Sequence, residues 1–278
     1  MRPHTEFIPS QWLPWDHQYL GASRAGVAAR VLSTDDQDGA CSLILSYPER
    51  YHRNAEILSV DEELIVLSGE IEIGGVVYSR HCYAHLPRGF LRTSLHSTGG
   101  AEVLTFFSAA PRVTATDARA SSEHDPARLV RRIDTRALDG QKGPRSHMRS
   151  EGFEHGGTVH KLLFDDPLTQ DKTWIAGLMP YWRCETVERH PVCEEEFALA
   201  GDIHMPNGVM YEDAYFWRPA DVAHGPFGTL GGTIHLCRGK GGVYSTRFSR
   251  AEQPFTWDAP YRPVLPDQYW SHVPKELR

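Results

Sequence analysis

In Glu188–Gly201, ERHPVCEEEFALAG, a histidine is followed four residues later by a glutamate, and a second histidine stands thirty residues beyond that glutamate in RPADVAHGP. Neutral imidazole and carboxylate are the usual ligands of divalent first-row metals, and two histidines with one carboxylate around open positions form the facial triad of non-haem iron sites. His190, Glu194 and His224 are therefore candidate metal ligands, with Glu188 as a further donor beside them. Groups so far apart in the chain converge only if rigid elements carry them to one place, so the elements come next.

The chain repeats itself at an offset of 132 residues: Gly26–Phe107 aligns with Thr158–Gly239 without a gap, with roughly fifteen of about eighty positions identical. Pro48 meets Pro180, Glu56 meets Glu188, and EELIVLSGEI (Glu62–Ile71) meets EEEFALAGDI (Glu194–Ile203). Tyr83 and Pro87 meet Tyr215 and Pro219, and Gly99, Gly100 and Leu104 meet Gly231, Gly232 and Leu236. Surface loops drift in length first, so a gapless register across several turns indicates two copies of one domain.

Each copy reads as β. Short apolar or alternating runs such as CSLILSY, ELIVLSGEIEIGGVVY and AEVLTFF are separated by Gly, Pro and Ser turn signals at sandwich or barrel spacing. GEIEIGG alternates apolar with charged, as a strand with one wet face does. The expected organisation is an N-terminal domain over 1–118 and a C-terminal domain over 127–278, with Ala109–Arg128 as linker and LVRRIDT opening the second domain. The terminal QPFTWDAPYRPVLPDQYWSHVPKELR has five prolines among aromatics, which predicts an extended arm without helix, packed on a barrel of this chain or of a partner in a homodimer.

Composition narrows the partners. A net charge of −7 argues against nucleic-acid binding, which needs a basic face. No stretch approaches the apolar length of a bilayer span and the start, MRPHTEFIPSQW, has no apolar leader, so a soluble cytoplasmic protein is expected. Five scattered cysteines without a C-x-x-C pair fit a reducing compartment. The glycines of CRGKGGVYS and GTLGGT match neither phosphate-binding pattern, and no G-x-S-x-G elbow is present.

The order of these residues resembles the cupin superfamily, whose motifs are G-x5-H-x-H-x3,4-E-x6-G and P-x-G-x-x-H. ERHPVCEEEFALAG supplies E-x-H-x3-E-x6-G, and PADVAH supplies P-x-D-x-x-H. The resemblance covers both copies, so the protein looks like a bicupin, nearest to ChrR-type cupin domains and acetylacetone-cleaving dioxygenases. It implies an all-β fold of two tandem double-stranded β-helix (jelly-roll) barrels, with a metal inside the second. Carried over by position, His190, Glu194 and His224 are its ligands, while Glu188 replaces a family histidine and either binds or turns away. Asp221 replaces the turn glycine, a geometry that Asp tolerates. The first copy has Glu56, Leu58, Glu62 and Arg92 at these positions, which implies no metal there. An ion pair of Glu62 with Arg92 is expected to stand in for the lost cation.

The expected cation is Fe(II), with Mn, Zn or Ni as alternatives. The leading expectation is a dioxygenase acting on a small substrate that chelates the metal through two oxygens. A metal-dependent lyase or isomerase, and a non-catalytic metal- or ligand-binding sensor, stand as alternatives. Phe197, Phe216 and Trp217 are expected to line an apolar cavity, with His235 and His204 as substrate-pocket candidates if they face inward. Glu195 and Glu196 read as a solvated strand end, and Cys193 as pointing away from the metal.

Overall fold

A computed structural model describes residues 2–142, 149–151 and 157–278. The chain divides into two compact units, Met1–Arg2 with Pro14–Leu138, and Pro3–Leu13 with Asp139–Arg278. Nearly all regular structure is strand, and among the described residues no helix is long and apolar enough to cross a membrane.

In the first unit the large sheet runs Val130–Asp134, Cys82–Leu86, Glu62–Ile73, Leu95–Phe107, Cys41–Arg53, Ala28–Thr34, with Val76–Ser79 hairpinned onto Glu62–Ile73. A small sheet joins Val113–Ala115, Glu56–Leu58 and Leu91–Arg92. Leu43, Leu45, Leu64, Val66, Ala84, Leu86, Val103 and Tyr78 share one buried core, as the alternating strand pattern requires.

The second unit repeats this plan. Its large sheet runs Thr5–Pro9, Ala214–Arg218, Cys193–Met205, Thr233–Lys240, Lys172–Leu178, Thr158–Asp165, Gln141–Lys142, and its small sheet joins Arg149–Glu151, Ser245–Arg250 and Thr186–Arg189. Gly69 and Gly201 occupy equivalent positions with φ of +70° and +82°, and a Cβ on either would run into the backbone of Gly100 or Gly232. The repeated glycines thus permit a close backbone approach that is built identically into both barrels.

The units do not follow the expected division at residues 118 and 127. Val130–Asp134, expected to open the second domain, pairs with Cys82–Leu86 in the first, and Thr5–Pro9 pairs with Ala214–Arg218 in the second. Each addition covers the equivalent edge strand, which satisfies a row of backbone groups that would otherwise be open. Val113–Ala115, read as linker, is a strand on Glu56–Leu58. The C-terminal arm is not free of helix: Asp267–Trp270 forms one turn after Pro266, since proline is tolerated ahead of a helix and only breaks its interior. The arm packs within its own unit, where Val264 bridges Glu6 and the Tyr261 hydroxyl donates to the Phe7 carbonyl (2.7 Å).

Candidate metal centre

Thr186–Arg189 ends beside the cluster and delivers Glu188, the following turn delivers His190, and the start of the strand Cys193–Met205 delivers Glu194. His224 lies far along the chain but is fixed by a reciprocal backbone pair, Glu188 N–H to His224 O (2.8 Å) and His224 N–H to Glu188 O (3.1 Å). Directly paired residues of antiparallel strands project to one face, so Glu188 and His224 point together. Asp221 adopts φ +63° in the connecting turn and donates its N–H to the His190 carbonyl (2.8 Å), the left-handed geometry that Asp accepts in place of glycine.

The donors converge. His190 Nε2 lies 3.2 Å from His224 Nε2 and 3.3 Å from Glu194 Oε1, and His224 Nε2 lies 3.4 Å from Glu194 Oε2. Glu188 turns inward, its Oε2 at 3.8 Å from His190 and 4.0 Å from His224. The Glu188, His190 and His224 donor atoms all fall within 4.8 Å of one another. Ligand bonds of about 2.0–2.2 Å set neighbouring ligands roughly 3 Å apart, the scale observed here.

The tautomers strengthen the fit. His190 Nδ1 stands 3.1 Å from the Ser245 carbonyl and His224 Nδ1 3.1 Å from the Val222 carbonyl, so each Nδ1 carries the proton and donates it. Both Nε2 lone pairs then face each other with no proton between them, an arrangement that a cation relieves and that a hydrogen bond does not. Tyr244 lies 3.0 Å from His190 Nε2, but its proton goes to Glu194 Oε1 (2.7 Å).

Glu194 is anchored from behind. Arg218 Nη1 donates to its Oε2 (2.9 Å), and the same guanidinium binds Glu6 through Nε (2.6 Å) and Nη2 while lying 3.6 Å over the Phe216 ring. Three enclosed carboxylates, Glu6, Glu188 and Glu194, thus stand around one guanidinium. Burial pushes the Glu188 carboxyl up to about 8, reinforced by Glu194 and Glu196. Burial opposes ionisation of Glu194, yet the Arg218 guanidinium and the hydrogen bond from the Tyr244 hydroxyl hold it below the usual carboxylate range. Burial and then Arg218 bring His224 down to about 3, which keeps it a neutral ligand.

The remaining sequence candidates separate by strand face. The register pairs Glu194 with Arg218, Glu195 with Trp217, Glu196 with Phe216 and Phe197 with Tyr215. Side chains alternate between faces, so Phe216 shares the face of Glu194, whereas Phe197 and Trp217 are buried on the opposite face and do not line this site. His204 stays outside the cluster: Nδ1 donates to the Trp257 carbonyl (2.9 Å) and Nε2 meets Asp202 (3.2 Å). His235 does face inward, with Nδ1 2.7 Å from Glu196 Oε2.

Glu195 and Glu196 are not a solvated strand end. Glu195 is 1% exposed, accepts the Tyr215 hydroxyl (2.6 Å) and pairs with Arg238, a substitution of protein partners for water that the charge run itself does not announce. The first unit repeats the contact, with Tyr83 donating to Glu63 (2.6 Å).

The equivalent place in the first barrel is filled by charge. Arg92 Nη2 lies 2.9 Å from Glu62 Oε2, and Arg24 reaches Glu56 Oε1 (2.8 Å) and Glu62 Oε2 (3.4 Å). All four side chains are at most 2% exposed, with Arg53 closing the rim on Glu56 (2.9 Å). Arg24, Glu6, Arg218 and Tyr244 escape sequence reasoning. Only Arg218 left a signal, an arginine where the first copy has the core residue Leu86.

The repeated barrels and the inward donor cluster define a bicupin, two tandem all-β cupin barrels in one chain. The chain belongs to the family described as domain of unknown function DUF4437, whose model matches residues 14–246. Among solved structures, it is similar to a protein of Nostoc punctiforme described as a "putative dioxygenase", with 18% identity and a TM-score of 0.74 over 92% of this chain and 87% of that one. It is also similar to the oxalate decarboxylase of Bacillus subtilis (11%, TM-score 0.54, 87% and 77% covered) and to protein Ylba of Escherichia coli, of family DUF861 (12%, 0.55, 85% and 90%). At these identities the likeness is one of fold. Comparison with curated protein sequences yields no significant match.

Proposed function

We propose that the second barrel is a metal-dependent catalytic centre, and that its reaction is the oxygenation of a small organic substrate that chelates Fe(II) through two oxygens. The observation that carries this reading is the convergence of His190, His224 and Glu188, two imidazoles and a carboxylate, with Glu194 held alongside by Arg218 and Tyr244. A ligand set of two nitrogens and carboxylate oxygens suits Fe(II) or Mn(II) over Cu, with Zn and Ni also accommodated by imidazole. The fold likeness to a protein described as a dioxygenase agrees with it.

The chain's own residues have defined parts. His190, His224, Glu194 and Glu188 would hold the cation, and the carbonyls of Ser245 and Val222 fix the ring orientations. Arg218, braced by Glu6 and Phe216, positions Glu194 and offsets part of the enclosed negative charge. A bound Fe(II) would supply the Lewis acidity that grips the chelating oxygens and the redox step with O2. Phe216, Trp174 and Ala198 on the same inner side keep the site apolar.

A lyase reaction in which the cation acts only as a Lewis acid is the second reading, favoured by the fold likeness to oxalate decarboxylase. Oxygen uptake separates the two: Fe(II)-reconstituted protein is screened with β-dicarbonyl and hydroxyketone compounds in an oxygen electrode. The dioxygenase reading expects one O2 consumed per substrate lost. Substrate loss without O2 uptake assigns the lyase chemistry, and binding without turnover assigns a sensor.

A further inference from the structure

Arg218 is enclosed between two carboxylates. Its Nη1 donates to Glu194 Oε2 (2.9 Å), while Nε (2.9 and 2.6 Å) and Nη2 grip Glu6, with Met205 Sδ 3.5 Å from Nη2. Arg218 is 4% exposed and Glu6 8%, so solvent screens the pair little. Glu6 stands on Thr5–Pro9, the strand that covers the edge beside Ala214–Arg218. Its backbone is fixed by a reciprocal pair with Val264, Glu6 N–H to Val264 O and Val264 N–H to Glu6 O, both 2.7 Å, and Asn207 Nδ2 donates to the Glu6 carbonyl (3.1 Å).

The ion pair is not what docks the strand. The first barrel covers the equivalent edge with Val130–Asp134, where Val130 pairs with His85 and Ile133 with Tyr83, as Thr5 pairs with Trp217 and Ile8 with Tyr215. There the position of Arg218 is the fully buried Leu86, and Arg131, which follows Val130 as Glu6 follows Thr5, is exposed. An apolar contact therefore suffices for docking, and a buried ion pair gives no more stability than well-packed hydrophobic residues of similar volume. The pair occurs in the barrel that has the ligand cluster and not in the barrel that lacks it, which ties its role to the cluster.

Electrostatics supplies that role. Arginine keeps its charge in proteins. An uncompensated guanidinium 2.9 Å from Glu194 would hold that carboxylate against a divalent cation and repel the cation as well. Glu6 cancels the charge, so Arg218 orients Glu194 without competing for it.

We propose that Glu6 is a positioning residue for the metal centre: by neutralising Arg218 it leaves Glu194 available to a cation, which makes the strand Thr5–Pro9 a working part of the site and couples its docking to metal binding. The inference rests on the metal-centre reading above and adds what controls that site. Such coupling is reciprocal, so whatever docking of the strand adds to metal affinity, metal adds to docking.

Fe(II) affinity is measured under argon by competition with a chromogenic chelator in full-length wild type, Glu6→Gln, Arg218→Met and the double variant, with folding checked by urea unfolding. Glu6→Gln keeps the shape and removes the charge. It is expected to weaken binding about tenfold or more, the scale on which an uncompensated unit charge acts on a nearby cation in a buried site. Adding Arg218→Met to Glu6→Gln is expected to recover most of that loss, because the uncompensated guanidinium is gone. A role in strand docking alone predicts no rescue, and the double variant would then bind as weakly as Glu6→Gln or more weakly. Hydrogen exchange of wild type reads the reciprocal effect and needs no variant to fold: Fe(II) is expected to slow exchange in peptides covering Thr5–Pro9 and Val264 by about the factor that Glu6→Gln costs in affinity. Wild-type affinity in Glu6→Gln, a double variant no tighter than Glu6→Gln, or exchange in these peptides that Fe(II) leaves unchanged overturns the proposal. Absence of metal uptake by wild type is a separate result that removes the metal-centre reading itself, and this inference with it.

Discussion

Where the second barrel gathers two glutamates and two histidines, the first gathers two glutamates and two arginines. Glu56 and Glu62 occupy the places of Glu188 and Glu194, and Arg92 occupies that of His224. The first set is compensated by its own means, two carboxylates against Arg24 and Arg92 with Arg53 on the rim. The second sets Glu6, Glu188 and Glu194 against the single guanidinium of Arg218, with Glu188 holding a proton until a cation displaces it. Buried charge is retained only where something compensates it, and one scaffold uses guanidinium for this at one site and, in our reading, a divalent cation at the other. The difference teaches that a buried pair of glutamates needs a positive partner in either barrel. In the first barrel the chain supplies that partner itself, as arginine.

The largest expected effect breaks the compensated side. Arg92→Ala leaves Glu62 short of its nearer partner, and a broken buried pair costs about 3–5 kcal/mol. Urea unfolding of the metal-free protein should show the loss, whereas the apolar double change Arg92→Leu with Glu62→Leu should recover much of it. An unchanged unfolding midpoint in Arg92→Ala would mean that the quartet contributes nothing.

A second contrast concerns protons. Glu188 is held up to about 8 in the metal-free protein, so at pH 7 it keeps its proton until a cation displaces it. Metal uptake at pH 7 should release close to one proton, and apparent affinity should rise by about tenfold per pH unit below 8 and level off above. The same raised value means that this group's contribution to stability is full below the ordinary carboxylate range and is lost as pH rises through about 8. Calorimetry in buffers of different ionisation enthalpy reads the proton count, and a count of zero contradicts the assignment of Glu188 as a ligand.

The smallest effect sharpens the role of the second barrel's supporting groups. Tyr244→Phe removes one hydrogen bond to Glu194, about 1 kcal/mol, and should weaken metal binding by threefold to tenfold without touching the first barrel. A competition titration against a chromogenic chelator measures it.

Much of this was legible in the sequence because a gapless repeat transfers positions. The offset of 132 residues alone sets Arg92 against His224 and Leu58 against His190, and period-two patterning gives the strands. Strand faces were less legible. EEEFALAG is buried on both faces, so alternation cannot tell which of Phe197 and Glu196 looks inward. Groups that arrive from outside the repeat had no register to place them. Glu6 comes to Arg218 across 212 residues, and Arg24 lies just before the aligned stretch. The placement of Thr5–Pro9 and Val130–Asp134 on edge strands is likewise a tertiary choice that local propensity does not encode.

The most direct measurement is the metal content per chain of protein reconstituted anaerobically with Fe(II) and desalted, in wild type, His224→Ala and Arg92→Ala. The account predicts one metal per chain in wild type, none in His224→Ala, and one in whatever Arg92→Ala protein remains folded. Two metals per chain, or one that persists in His224→Ala, would contradict the assignment of a single centre to the second barrel.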